Sequence, residues 1–138
     1  MSDQEHIETV KKSFLKRGGY SSEKNILSLR NNSFLIDLNG VNGIVDLFNC
    51  LSISFPLETE LSQENVLEKN WDSLDDSIGG AMISKSEEGS ICYVLIGFEE
   101  FSNKYPDAWE LLSILYKNAD YIKNTSVIKN DINIYVFR

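Results

Sequence analysis

The order of elements in the last third of the chain constrains the fold more than any other feature of the sequence. Residues 92–98 form a short, almost uninterrupted apolar run, which is typical of a strand buried on both faces. Pro106 suits a first helical position. Apolar residues follow it at helical spacing: Ala108, Leu111, Leu112, Leu115, Ala119 and Ile122. The alternating residues 132–137 then indicate a final strand. Because strands that are joined through helices lie parallel in one sheet, this order predicts an α/β fold.

The middle of the chain supplies a further strand and more helices. A strand is predicted over residues 34–38, and the weaker candidate Ile26–Leu29 could pair with it as a hairpin across Asn31–Asn32. A helix follows from Asn42, with the apolar face Ile44, Leu47, Phe48 and Leu51, and Pro56 ends that segment. One weak helix is predicted near residues 63–68. Another starts at Asn70, and we expect Gly79–Gly80 to end it before a polar loop over residues 84–90.

An additional helix is predicted at the N-terminus. Ser2 and Glu5 form a capping box, and Gly18–Gly19 supplies the stop. Three apolar residues recur between them at helical spacing: Ile7, Val10 and Phe14. The 138 residues suffice for one core. We therefore expect residues 1–31 to form an extension of a helix and a possible edge strand, and residues 32–138 to form the domain.

The charge of the chain is unevenly distributed. Residues 1–31 carry four acids and six bases, whereas the remainder carries 17 acids and 7 bases, so the net charge of −8 comes from the part after residue 31. Seven acids and only one base lie between residues 58 and 76. Binding DNA or RNA requires Lys and Arg to neutralise phosphates, so this composition argues against a nucleic-acid partner. It favours a basic protein partner, although a solvated acidic loop would also explain the pattern.

Little in the sequence points to catalysis. The only histidine, His6, is expected on the exposed side of the first helix, and no Walker or GxGxxG pattern follows a predicted strand. Cys50 and Cys92 lack metal-ligand spacing and are expected to be reduced core residues. We therefore expect no enzyme activity, cofactor or metal site. No secretory signal is visible, and the longest apolar stretch is far below the roughly 20 residues that span a bilayer, which predicts a cytoplasmic protein without membrane contact.

Three aspartates stand at positions i, i+3 and i+4 of the helix that starts at Asn70, and this spacing is expected to bring Asp72, Asp75 and Asp76 onto one face. Their mutual repulsion, roughly 0.2–0.5 kcal/mol per pair, is nearly cancelled by the roughly 0.3–1 kcal/mol that acids gain near a helix N-terminus. A purely structural role is therefore possible. A Mg²⁺ site is a second interpretation, and a preformed anionic patch for a basic protein is a third.

The same segment resembles a known family. Residues 70–78, Asn-Trp-Asp-Ser-Leu-Asp-Asp-Ser-Ile, are similar to the Asn-Leu-Asp-x-Leu-x-Asp-x-Leu helix of the barstar family, whose two aspartates engage a ribonuclease active site. Asp72 and Asp76 fall on those two positions. Residues 36–39 with 44–55, 93–101 and 131–137 resemble the family's first strand and helix, second strand and last strand. The resemblance covers about residues 32–138 and implies a small, three-layer-type α/β domain with a mainly parallel three-stranded sheet.

The chain departs from the family pattern at several positions. Asp75 stands where the family places an aromatic residue, and Val66 and Leu67 replace aromatic residues upstream of the helix. Lys117 falls near a position at which the family carries an acid, and Asp120 is a possible substitute. These differences make the expected contact surface more acidic and less aromatic.

The resemblance implies an immunity protein that inhibits a basic ribonuclease or nuclease toxin. The expected contact residues are Asp72, Asp76, Asp75, Asn70 and Trp71, whose carboxylates would occupy the places of substrate phosphates. We expect the free protein to be a monomer. An adaptor with the same fold and a partner other than a nuclease is the alternative.

Overall fold

The computed structural model describes residues 3–22, 33–52, 67–125 and 130–138, with the side chains of residues 3 and 67–70 excepted. Its elements are α1 (Asp3–Lys16), β1 (Ser33–Asp37), α2 (Ile44–Leu51), α3 (Leu67–Glu88), β2 (Ile91–Ile96), α4 (Phe98–Lys104), a 3₁₀ turn (Pro106–Ala108), α5 (Trp109–Thr125) and β3 (Ile132–Val136). None of the helices within these ranges is long and apolar enough to cross a membrane. The predicted strand Ile26–Leu29, its Asn31–Asn32 turn and the helix end at Pro56 lie outside the described residues, as do Val66 and most of the weak helix near residues 63–68.

The three strands form one parallel sheet in the order β1-β2-β3. Ser33 of β1 is aligned with Cys92 of β2, and Cys92 is aligned with Asn133 of β3. The central strand β2 is buried from Ile91 to Leu95, because it has a neighbour on each side and apolar clusters on both faces. The predicted α/β class, with a three-stranded parallel sheet and flanking helices, is confirmed.

The main core lies between one face of the sheet and the helices. Successive side chains of a strand point to opposite faces, so Tyr93 and Leu95 of β2 enter this core while Cys92 and Val94 belong to a smaller cluster on the other face. The predicted apolar stripe of α5 supplies Leu111, Leu112 and Leu115 to the main core, and all three are fully buried.

The N-terminal helix α1 is part of this core. Ile7, Val10 and Phe14 are buried in the same cluster as the side chains of α5 and β2. The helix ends at Lys16, before Gly18–Gly19, as its sequence predicts. The division of the chain at residue 31 stays a prediction, but the shared core means that α1 cannot be removed without exposing apolar surface of the domain.

Helix α3 is longer than the sequence predicts, because it runs through Gly79–Gly80 to Glu88 and includes most of the predicted polar loop. Two glycines cost a helix about 2 kcal/mol relative to alanine. Met82, one turn beyond Ile78, is fully buried, and burying one such side chain stabilises a fold by roughly 1.5–3 kcal/mol. Near the helix end, Asn130 Nδ2 donates to the Ser86 carbonyl at 2.6 Å. Tertiary packing therefore outweighs the local stop signal.

The expected second strand over residues 92–98 ends earlier, and α4 begins at Phe98. Gly97 between them has φ +76, in the left-handed region that glycine adopts without strain. A side chain there would also meet Asn39 Oδ1, which lies 2.6 Å from the position that a Cβ would occupy. Gly97 thus turns the chain sharply from β2 into a helix that the sequence pattern did not reveal.

Two single-residue expectations are corrected. Cys50 is exposed rather than part of the core, whereas Cys92 is buried; both are free, and burial raises the pKa of the Cys92 thiol. His6 is not a freely exposed surface residue, because its side chain is only 35% exposed and its Nε2 contacts Glu110 Oε2 of α5. The histidine therefore helps to join α1 to α5.

Candidate functional site

Asp72 and Asp76 lie one helical turn apart on the exposed side of α3. The opposite side of the helix is anchored by Leu74 and Ile78, which are fully buried in the main core. Because these apolar residues fix the rotation of the helix, both carboxylates face away from the sheet. The sequence prediction that Asp72 and Asp76 project together is therefore met by the fold.

Asp75 differs from Asp72 and Asp76 because its carboxylate contacts side chains of α5. Its side chain is 24% exposed. Oδ1 accepts a hydrogen bond from Asn118 Nδ2 at 2.8 Å, and Oδ2 accepts one from Lys117 Nζ. The same Asn118 Nδ2 donates to the Ile114 carbonyl at 2.9 Å, which fixes the amide in place. The three aspartates consequently do not form one equivalent set, because Asp75 is used to hold α3 against α5.

Two residues that differ from the barstar pattern therefore contact each other in the structure. An acid at Asp75 replaces an aromatic residue, and a base at Lys117 lies near a position that the family fills with an acid. In the structure the two side chains form an ion pair between α3 and α5. The sequence contained both halves of this pair, 42 residues apart, but only the fold shows that they are neighbours.

The close approach of α3 to α5 depends on Gly79. A Cβ added to this residue would lie 2.8 Å from Asn118 Oδ1, which is shorter than an ordinary van der Waals contact. Gly79 therefore provides the space for the amide that binds Asp75. Gly80, on the exposed side, has no atom within 4 Å of the corresponding position.

The other expected contact residues have different surroundings. Trp71 is half-buried and packs edge-on against Phe48 of α2, with ring centroids 4.7 Å apart, so part of its surface stabilises the core. Asn70 lies in the first turn of α3, and its side chain is outside the described part of the chain. Asp120, the possible substitute for the family's acid, forms an ion pair with Arg17, the residue after α1, at 2.6 Å.

The acidic side chains of the described residues differ in whether they have partners. Asp120, Glu8, Glu99 and Glu100 each form an ion pair with a lysine or arginine. Within the described ranges, by contrast, three exposed acids of α3 have no hydrogen-bond or ion-pair partner: Asp72, Asp76 and Glu87. Since residues 76 and 87 are about three turns apart at 3.6 residues per turn, all three lie on one helix face. This face carries negative charge that its own fold does not neutralise.

The geometry does not favour metal binding. Nowhere in the described part of the chain do three His, Cys, Asp or Glu side chains converge as a group that could hold a metal ion. A Mg²⁺ site made of all three aspartates would require Asp75 to leave both Lys117 and Asn118. Of the three aspartates, only Asp72 and Asp76 therefore have carboxylate oxygens that are free to coordinate a hard cation.

In comparisons with known proteins, the chain matches no protein-family model, no curated protein and no solved structure. The resemblance to the barstar family therefore rests on the motif of residues 70–78 and on the order of the elements. It stays a prediction.

Proposed function

We propose that this chain is an inhibitory binding protein that uses the exposed face of α3 to block a basic nuclease. The observation that supports this most is the contrast within one helical turn: Asp75 is neutralised by Lys117, whereas Asp72 and Asp76 are exposed without a partner among the described residues. Unpaired carboxylates on a rigid helix are preorganised to accept hydrogen bonds from Arg and Lys.

The charge of the partner follows from electrostatics. A net charge of −8 repels nucleic acid and attracts a basic protein over roughly a Debye length, about 10 Å at 0.1 M salt. A nuclease cleft is a basic surface because it binds phosphates, so two carboxylates can take the places of two phosphate groups. The resemblance of residues 70–78 to the barstar helix supports the same class of partner.

The test is binding kinetics with the product of a small basic nuclease gene next to the gene of this chain. We expect Asp72→Ala and Asp76→Ala each to weaken binding by well over tenfold, because each leaves a buried cation of the partner unpaired. Asp75→Ala should cost less binding, since its oxygens are already engaged by Lys117 and Asn118. Raising the salt concentration should mainly slow association.

Asp107→Ala provides the matched control. Asp107 is an exposed acid in the 3₁₀ turn, without a hydrogen-bond or ion-pair partner among the described side chains, so its removal changes the net charge by the same amount. Asp107→Ala should slow association slightly and leave dissociation unchanged. If Asp72→Ala and Asp76→Ala behave like this control and melt normally, the face of α3 is not the contact surface. If they weaken binding to a protein that is not a nuclease, the adaptor function replaces inhibition.

A further inference from the structure

Two asparagine–glycine pairs stand in the loop between β1 and α2. They are Asn39–Gly40 and Asn42–Gly43, and both asparagines are exposed. Both glycines have a positive φ, +82 at Gly40 and +107 at Gly43, and no atom lies within 4 Å of the position that a Cβ of either would occupy. Because glycine has no side chain, its backbone nitrogen is sterically open to the side chain of the asparagine before it.

Asparagine is a chemically labile residue, and before a glycine it loses its side-chain amide without a catalyst. The backbone nitrogen of the glycine attacks the asparagine Cγ, the Cγ–Nδ2 bond breaks, and ammonia leaves with the proton of the attacking nitrogen. The product is a cyclic succinimide. Water then opens the ring to aspartate or, where the bond of the main chain breaks, to isoaspartate, whose chain continues through the side-chain carbon. Water is the only co-reactant, and nothing is oxidised or reduced.

The fold restrains the first pair. Val41 N donates to the Leu38 carbonyl at 3.2 Å, which closes a tight turn around this pair. Asn39 N donates to Asp37 Oδ1 at 3.0 Å. The side chain of Asn39 also lies against Gly97, because its Oδ1 is 2.6 Å from the position of a Cβ there. Ring closure requires the Asn39 Cγ to rotate towards the next backbone nitrogen, so these contacts must loosen before the residue reacts.

The second pair is held less firmly. Asn42 Nδ2 donates to the Gly40 carbonyl at 3.4 Å, which is long for a hydrogen bond, so little energy holds this side chain. Asn42 N donates to Asp46 Oδ2 at 2.9 Å, but that bond fixes the backbone nitrogen of Asn42 rather than its side chain. The Gly43 carbonyl accepts a hydrogen bond from Leu47 N at 3.0 Å, which also leaves the Asn42 side chain free to rotate.

We propose that Asn42 is a site of spontaneous deamidation and that the fold directs the reaction to it rather than to Asn39. The two pairs have the same reacting groups, and each asparagine follows an apolar residue, Leu38 or Val41, so their intrinsic rates are similar. In the folded chain the contacts of Asn39 raise its barrier. We expect Asn42 to react at least tenfold faster than Asn39, which corresponds to about 1.4 kcal/mol in activation free energy.

Deamidation at Asn42 changes the start of α2. It adds a carboxylate next to Asp46, whose Oδ2 already accepts a hydrogen bond from the backbone nitrogen of residue 42. Isoaspartate also lengthens the main chain by one carbon directly before Gly43. Because Leu47 and Phe48 of α2 are fully buried in the main core, we expect the isoaspartate form to unfold at a lower urea concentration than the unaltered chain.

The experiment follows the full chain during incubation in mildly alkaline buffer at physiological temperature. Peptide mapping by mass spectrometry gives the rate at each asparagine, so Asn39 serves as the matched control within the same molecule. In water labelled with heavy oxygen, the product at Asn42 should carry the label, because water opens the succinimide. Isoaspartate methyltransferase should methylate residue 42 of the aged chain. Asn42→Gln should abolish this methylation, since ring closure from glutamine requires a larger ring.

Unfolding separates the effect of the fold from that of the sequence. In guanidinium chloride the contacts of Asn39 are lost, and the two asparagines should react at rates within roughly threefold of each other. Similar rates in the folded chain, or a faster reaction at Asn39, would overturn the inference. A tenfold difference that persists in the unfolded chain would assign the selectivity to the sequence and would overturn it as well. Product at Asn42 only after unfolding would show that the fold protects both pairs, which is the opposite of the proposal.

Discussion

Truncating Phe14 tests whether α1 belongs to the core of the domain. Phe14 is 3% exposed and makes edge-on contacts with Tyr20 and Trp109, at centroid distances of 4.9 and 5.4 Å. Replacing a buried phenylalanine by alanine costs about 3–5 kcal/mol, which includes the lost transfer energy and the cavity that remains. Because Phe14 lies near the end of a peripheral helix, where the structure can relax, we expect Phe14→Ala to cost about 3 kcal/mol.

This loss is large enough to measure precisely. For a chain of this size, 1 kcal/mol shifts the melting temperature by roughly 3–5 °C, so Phe14→Ala should melt roughly 10 °C lower. Urea unfolding followed by tryptophan fluorescence gives the free energy directly, and Trp109 lies against the altered residue. Leu15→Ala is the matched control, because Leu15 is the next residue of the same helix and is 70% exposed. It should change stability by less than about 0.5 kcal/mol.

The buried side chains of α1 also predict the effect of truncation. Removing residues 1–20 should destabilise the domain by more than Phe14→Ala does, since Ile7 and Val10 leave the core as well. If Phe14→Ala and Leu15→Ala unfold within about 1 kcal/mol of each other, α1 is not an integral part of the core. The extension would then be dispensable for folding.

The remaining predictions concern helix packing, pH and metal binding. Gly79→Ala should destabilise the fold by about 1–3 kcal/mol because its Cβ would collide with Asn118, whereas Gly80→Ala should stabilise it by up to about 1 kcal/mol; urea unfolding of both variants should show opposite signs. Burial raises the pKa of Tyr116 from 10.0 to about 12, so its contribution to stability is complete below pH 10 and is lost as the pH rises towards 12. Tyr116→Phe should therefore flatten part of the fall in urea midpoint over this range, and an unchanged fall would contradict the assignment. Calorimetry with millimolar Mg²⁺ should detect no tight site, because Asp75 is bound by Lys117 and Asn118; a stoichiometric micromolar site would revive the metal hypothesis.

Local patterns in the sequence were sufficient to predict several of the helices and strands. The buried run of β2 and the alternation of β3 predict strands, and the helical spacing of α5 predicts a helix, because each element places its apolar residues on the faces that the core covers. The order of these elements also predicts parallel pairing. The positions of Asp72 and Asp76 on the outer face followed from their spacing relative to Leu74 and Ile78.

Contacts between distant segments determined the features that local patterns did not predict. A glycine pair signals a helix end by its local conformational cost, but α3 continues because Gly79 lets Asn118 approach and Met82 is buried beyond it. Asp75 looks equivalent to Asp72 and Asp76 in the sequence, yet Lys117 and Asn118 of another helix neutralise and hold it. The position of β2 between β1 and β3 likewise depends on how distant strands pair. Short-range periodicity specifies which face of an element is apolar, whereas the identity of its neighbours depends on how several such faces are buried together.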